Sequence, residues 1–221
     1  MLDISKLKYA LFDWDNTLAE SRTSLVEAVN IVLKIYHLPI WEKVKHLRDC
    51  NLSFKDNFPR IFGNMAEDAY EKYREIYLQL MPAKIKTFPF VTEILKELNC
   101  RGVLLYIVSN KERILLEREK DLLFPDIYFR KIVCGHEAPE DKPSPQQIFY
   151  ALSEELKPEE ITPEEVWMVG DSPMDSQSAV QANASAIRIG KSIWGDEGNP
   201  DNHIIYFNDF KEFYQKLGTK S

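Results

Sequence analysis

Asp13 and Asp15 stand one residue apart in the pentad Asp13-Trp14-Asp15-Asn16-Thr17, directly after the apolar run Tyr9-Ala10-Leu11-Phe12. Two acids at the end of a buried strand cost free energy unless a cation or hydrogen-bond donors compensate them. Taken alone, the pentad is equally a polar turn that closes a strand. Three further stretches extend it. An apolar run over 102–108 ends in Ser109-Asn110-Lys111, a loop reads Glu140-Asp141-Lys142-Pro143-Ser144-Pro145, and a run over 166–169 ends in Gly170-Asp171-Ser172-Pro173-Met174-Asp175. Hydroxyl, amide and carboxylate groups thus end three apolar runs, with a lysine in the loop between the last two. In a parallel sheet the strand ends share one edge, where ligands bind, so these groups would converge.

The elements needed to position them can be read from periodicity. Runs as apolar as 9–12 and 166–169 suit parallel strands buried on both faces. Between the first two strands lies a stretch without a convincing strand. Leu25, Val29, Val32, Leu33 and Tyr36 recur at three- and four-residue steps and predict a helix over 22–38, closed by Pro39. Shorter helices follow over 41–47 and over 54–62, where Gly63 is the stop, and a longer one over 66–80 ends before Pro82. Beyond it, helices over 88–100, 112–123, 144–156, 173–183 and 209–217 alternate with strands over 103–108, 131–134, 166–169, 186–189 and 203–207. That alternation predicts an α/β fold, a doubly wound parallel sheet built from residues 1–19 and 87–221. Residues 20–86 read as a helical bundle inserted between the first two strands. No internal repeat or low-complexity segment interrupts this pattern, and the tail from Gly218 reads as loose.

With its four motifs in this order, the sequence resembles the haloacid dehalogenase superfamily over roughly residues 7–190. The likeness is to the phosphoglycolate phosphatase-like and phosphoglucomutase-like branch with a helical cap. The resemblance implies a Rossmann-like core and a magnesium-dependent phosphatase that works through an aspartyl-phosphate. Asp13 would be the nucleophile and Asp15 the general acid/base, protonating the leaving alkoxide and then deprotonating the hydrolytic water. Thr17 and Ser109 would bind phosphate, and Lys142 would supply positive charge. Mg2+ would be held by Asp13, Asp171 and the Asp15 backbone carbonyl, with Asp175 in support. The group usually has glycine where this chain has Asn16, a residue that tolerates positive φ better than most.

The chemistry is coherent with those residue types. A phosphate monoester repels an anionic nucleophile unless a cation masks its charge. Magnesium prefers oxygen ligands and often takes one or two carboxylates together with a substrate phosphate. Lys142 suits a point charge on phosphate, and Pro143 and Pro145 would stiffen its loop. Other readings compete residue by residue. Ser109 also suits a strand-end turn, Lys142 a surface position, Lys111 a helix start, and Asp175 a helix-terminal acid that accepts backbone amides. Asn110 and Lys111 are further candidates for substrate contact, as are Arg48, Lys55 and Arg60 of the insert, which flank a loop over 49–53. Tyr36, Trp41, Phe54, Phe58, Phe62, Tyr70, Tyr73 and Tyr77 fall at helical spacing and read as packing of the insert.

Composition narrows the class. Among the 221 residues, a net charge of −7 argues against nucleic acid as the main partner. The 20–86 insert, with 11 basic and 9 acidic residues, is less acidic than the rest and suits an anionic substrate. Three cysteines, Cys50, Cys100 and Cys134, fit no metal motif and read as reduced thiols. His37, His46, His136 and His203 are scattered. The opening residues lack a signal-peptide pattern, and no apolar run approaches the ~20 residues of a membrane span. The expectation is a cytoplasmic monomer or homodimer acting on a small phosphorylated substrate. A phosphomutase or phosphonate hydrolase of the same family, the latter with a Schiff-base lysine among Lys43, Lys45 and Lys55, is the alternative, as is a non-catalytic binding protein. Dehalogenation needs no leaving-group acid, so Asp15 argues against it.

Overall fold

The computed structural model describes residues 4–49, 51–191 and 204–218. Cys50, His203 and residues 219–221 therefore lie outside the described residues. Six strands form one parallel sheet: β1 (Tyr9–Phe12), β2 (Leu104–Val108), β3 (Lys131–Val133), β4 (Val166–Gly170), β5 (Ser185–Ile189) and β6 (Ile204–Phe207). Their spatial order is β3-β2-β1-β4-β5-β6, so the chain reverses its direction of winding at β1. Phe12 lies level with Ile107 of β2 and Val169 of β4. This register brings Asp13, Ser109 and Asp171 to one edge at the topological switch point.

Side chains along β1 alternate between two cores. Ala10 and Phe12 pack with α5 (Val91–Cys100), α6 (Arg113–Leu123) and α9 (Phe210–Gly218), while Leu11 faces α7 (Gln146–Leu152) and α8 (Pro173–Gln181). Burial on both faces explains why β1 and β4 read as unbroken apolar runs rather than as alternating ones. Removing the fully buried Phe12 ring would cost about 3–5 kcal/mol.

The helices of the insert make a third cluster. Leu25, Val29, Val32 and Leu33 of α1 (Arg22–Ile35) meet Tyr70, Tyr73 and Tyr77 of α4 (Ala66–Leu80). Trp41 and Val44 of α2 (Trp41–Val44) and Phe58 and Phe62 of α3 (Phe58–Phe62) fill the remaining space. The tyrosines recur every three or four residues, and adjacent rings stand 5.7 and 5.5 Å apart. These aromatics are packing, as their spacing suggested. The chain enters and leaves this helical layer side by side, where the Glu20 amide donates to the Lys86 carbonyl at 2.8 Å and Ala19 bridges Thr87. Gly63 ends α3 with φ of 58°. Cys100 is an exposed free thiol, whereas burial pushes the Cys134 thiol up to about 12. Among the described residues, no helix is long and apolar enough to cross a membrane.

Candidate active site

The end of β1 carries the first acid into a buried corner. Asp13 continues the strand ladder through its amide to Val169 O at 2.9 Å, and its carboxylate is 7% exposed as a residue. Lys142 reaches it from the segment between β3 and α7. The ammonium donates to Asp13 Oδ1 at 2.7 Å, Asp175 Oδ1 at 2.6 Å and Val108 O at 2.8 Å. Those three acceptors match the three donors of an ammonium, so a buried lysine is fully satisfied. Burial works against its charge, yet Asp13 and Asp175 outweigh burial and hold Lys142 above the usual lysine range.

Asp175 has a second duty. Its Oδ2 accepts from the Ser172 amide at 3.0 Å and from Ser172 Oγ at 2.6 Å, which closes the N-terminus of α8. The side chain lies against Gly170, where a Cβ would sit 2.3 Å from Asp175 Cγ. Only glycine fits there. Asp171 is 2% exposed, its Oδ2 accepts from Asn16 Nδ2 at 2.7 Å, and its carbonyl accepts from Arg188 Nε at 3.1 Å.

Asn16 adopts φ of 61°, the left-handed conformation that its side chain tolerates, and so makes the turn after Asp15. Its amide bond to Asp171 is a contribution that the sequence did not reveal. Thr17 is 1% exposed, with no hydrogen-bond partner for its hydroxyl among the described residues, and it does not line the cleft. Ser109 does line it, and its hydroxyl accepts from the Lys111 amide at 3.3 Å. Asn110 clamps the lysine loop: its side chain donates to Lys142 O at 2.8 Å and accepts from Lys142 N at 3.0 Å.

A cleft separates this edge from the helical layer. Asp13, Asp15, Ser109, Asn110, Lys142, Asp171 and Asp175 line it from the sheet, and Arg48, Phe54, Lys55, Tyr70 and Tyr73 from the helices. Lys55 lies over the Tyr70 ring, 5.3 Å from its centroid. Arg60 is spent elsewhere, donating to Leu47 O at 3.0 Å. The loop of 49–53 hangs on buried Asn57, which accepts from the Asp49 amide at 2.7 Å and donates to the carbonyls of Asp49, Leu52 and Ser53.

Asp13, Asp171 and Asp175 each offer a buried oxygen, all within 4.8 Å of one another. Burial, with a smaller push from Asp175, raises the Asp13 carboxyl to about 7 in spite of Lys142. Three convergent carboxylate oxygens fit a hard divalent cation.

The haloacid dehalogenase-like hydrolase profile matches residues 10–189, from β1 to the end of β5. The chain belongs to that family. This hydrolase is similar to the phosphoglycolate phosphatase of Aquifex aeolicus, 27% identical over 190 residues, with 86% of each chain covered. It is also similar to the pyrophosphatase PpaX of Bacillus pumilus, 26% identical over 193 residues, covering 87% of this chain and 88% of that one. Its fold matches the crystal structure of CbbY from Rhodobacter sphaeroides in complex with phosphate, with a TM-score of 0.76 at 20% identity over 94% of this chain and 96% of that one. The hydrolase thus has the Rossmann-like core of its family, and the two relatives named are a phosphatase and a pyrophosphatase.

The sequence offers Lys111 as a substrate contact or a helix start and gives Glu119 no role. Lys111 is buried rather than a solvated helix start, and Glu119 is fully buried on α6. Glu119 lies four residues after Leu115 and three after Leu116, on the stripe that faces inward. An acid at an apolar-stripe position was the available signal. His136 Nε2 lies 3.5 Å from Asp56 and Nδ1 3.8 Å from Asp141. That contact joins the helical layer to the sheet half across a partly exposed seam.

Proposed function

We propose that this hydrolase is a magnesium-dependent phosphatase of small phosphorylated metabolites, acting through an aspartyl-phosphate on Asp13. The observation that carries the reading is the buried Asp13–Lys142–Asp175 ion cluster, with Asp171 beside it, at the floor of a cleft roofed by Arg48 and Lys55. The residues of 20–86 serve as the cap over a core of 1–19 and 87–221. Asp13, Asp171 and the Asp15 backbone would hold Mg2+, which when bound masks phosphate charge and keeps Asp13 ionised. Asp175 supports the site by fixing Lys142 and the start of α8.

Asp13 attacks phosphorus as the ester P–O bond breaks, and Lys142 stabilises the charge that gathers on the phosphoryl oxygens. Ser109 and Asn110 lie at the edge of the space left for that group, with Thr17 behind the turn. Asp15 gives its proton to the leaving alkoxide and recovers one from the water that hydrolyses the intermediate. The basic cap residues suit substrates with a second anionic group. Lys43, Lys45 and Lys55 are all exposed, so none has the desolvated setting that a Schiff-base lysine requires.

Phosphate release is the test, measured with magnesium or chelator on phosphoglycolate, pyrophosphate, sugar phosphates and nucleoside monophosphates. The expected result is magnesium-dependent turnover of at least one, abolished by Asp13→Asn in a protein that still folds. Asp15→Asn should slow turnover by about 10²–10⁴-fold. Activity surviving in Asp13→Asn would remove the nucleophile assignment. A sugar phosphate isomerised without phosphate release would mark a mutase instead.

A further inference from the structure

Lys111 ends the segment that follows β2, yet its ammonium points inward. It donates to Asp15 Oδ1 at 2.7 Å and Tyr77 Oη at 3.3 Å, and it pairs with Glu119 Oε1 at 2.7 Å. Glu119 also accepts from the Trp14 indole N–H and from Tyr77 Oη, the latter at 2.6 Å. One buried carboxylate therefore braces the lysine, the residue between the two active-site aspartates, and a tyrosine of α4. The donors of the ammonium are all used, so the lysine has little freedom to move.

On Asp15 the contacts fall on a single atom. Oδ1 accepts from Lys111 Nζ and from Ser21 Oγ, whereas Oδ2 has no hydrogen bond among the described residues. Asp15 lines the cleft. A carboxylate gripped by one oxygen presents the other in a fixed direction.

We propose that Lys111, braced by Glu119 and Tyr77, is a positioning residue for Asp15. It holds Oδ1 so that Oδ2 exchanges protons with the substrate. The proposal rests on the phosphatase reading above. As the ester P–O bond breaks, its electron pair stays on the alkoxide oxygen, which takes the proton from Oδ2. Water then attacks the aspartyl-phosphate, returns one proton to Oδ2, and releases phosphate and the Asp13 carboxylate.

A purely architectural role, in which Lys111 merely neutralises Glu119 between α4 and α6, makes a different prediction. An alkoxide is a poor leaving group and needs the acid, whereas a nitrophenolate leaves without it. The experiment compares kcat/KM, which reports only the steps up to leaving-group release, on β-glycerophosphate and on p-nitrophenyl phosphate. It uses the unchanged protein, the paired change Lys111→Met with Glu119→Gln, Asp15→Asn, and all three changes together. The paired change removes both charges, so neither is left buried alone.

The alkyl-to-aryl ratio of kcat/KM should fall about 10²-fold in the paired variant. Added to Asp15→Asn, the same pair should leave the ratio where Asp15→Asn put it. A ratio within about twofold of the unchanged protein overturns the proposal, since an architectural defect slows both substrates alike. A further fall in the Asp15→Asn background overturns it too, because Lys111 would then act elsewhere. Should the paired variant fail to fold, Tyr77→Phe keeps the ring, removes the bracing hydroxyl and reads the same ratio; no fall there overturns the proposal. Should β-glycerophosphate not be turned over, the best alkyl ester of the phosphate-release panel replaces it; if no ester is hydrolysed, the phosphatase reading falls and takes this role with it.

Discussion

At the scale of single residues, Asp13 sets the conditions under which the site works. Burial raises its carboxyl from 3.8 to about 7, so between those values the folded, metal-free protein holds a proton that the unfolded chain has released. Stability of the metal-free protein therefore falls as pH rises through that window. A cation that needs the ionised acid must displace this proton, so its apparent affinity should weaken roughly tenfold per pH unit below about 7. Thermal unfolding with and without magnesium checks this: the rise in Tm should be larger at pH 8 than at pH 5. Asn16 is a second test, because its turn and its bond to Asp171 can be separated. Asn16→Gly keeps the left-handed turn but loses the amide donor, and should weaken magnesium binding by about 10-fold or more while leaving the fold intact. Unchanged affinity would mean that Asp171 holds its place without Asn16. The four motif acids and Lys142 were legible because their order along the chain maps onto strand ends. Glu119 and the second role of Asn16 were not: Glu119 showed only as an acid on an apolar stripe, and the Asn16 contact depends on Asp171, 155 residues along the chain.

At the scale of elements, boundaries moved where local geometry overrode periodicity. The first helix ends at Ile35 rather than reaching Leu38, since His37 takes φ of 55° and the Leu38 amide folds back to Leu33 O. The helix expected over 144–156 contracts to Gln146–Leu152, with Pro145 as its N-cap. By contrast α4 matches its predicted span, because proline follows it and apolar tyrosines mark its inner face. A loop over 49–53 was expected between α2 and α3, but its anchor was not, since that is the single buried side chain of Asn57. Asn57→Ala removes four hydrogen bonds and should cost about 1–3 kcal/mol. It should also raise KM more than it lowers kcat, since Arg48 and Lys55 flank the loop it holds. An equal fall of kcat with KM unchanged would detach that loop from substrate binding.

At the scale of the whole molecule, fold class was the easiest reading, since alternating helices and buried strands admit few arrangements. What the pattern could not convey is how separately the two halves pack. The insert's cluster draws on residues 25–81 and takes only Leu115 from the other half among its fully buried members. Phe58→Ala, at a ring in contact with Phe54, Phe62, Tyr70 and Tyr73, should therefore cost about 3–5 kcal/mol. Amide hydrogen exchange should quicken across α1 and α4 while β1 and β4 remain protected. Equal quickening in both halves would show one cooperative unit.

The strand order carries one more consequence, for the moment of synthesis. The central strand β1 is made first of the six, but its neighbours are β2 and β4, about 95 and 157 positions later in register. At roughly 5–20 residues per second, β1 waits on the order of 10–30 s for its second neighbour to be translated. Throughout that interval an apolar strand with an unpaired edge is exposed to other nascent chains. A message truncated before codon 166 should yield an insoluble product, even though it encodes the whole helical insert and the first three strands.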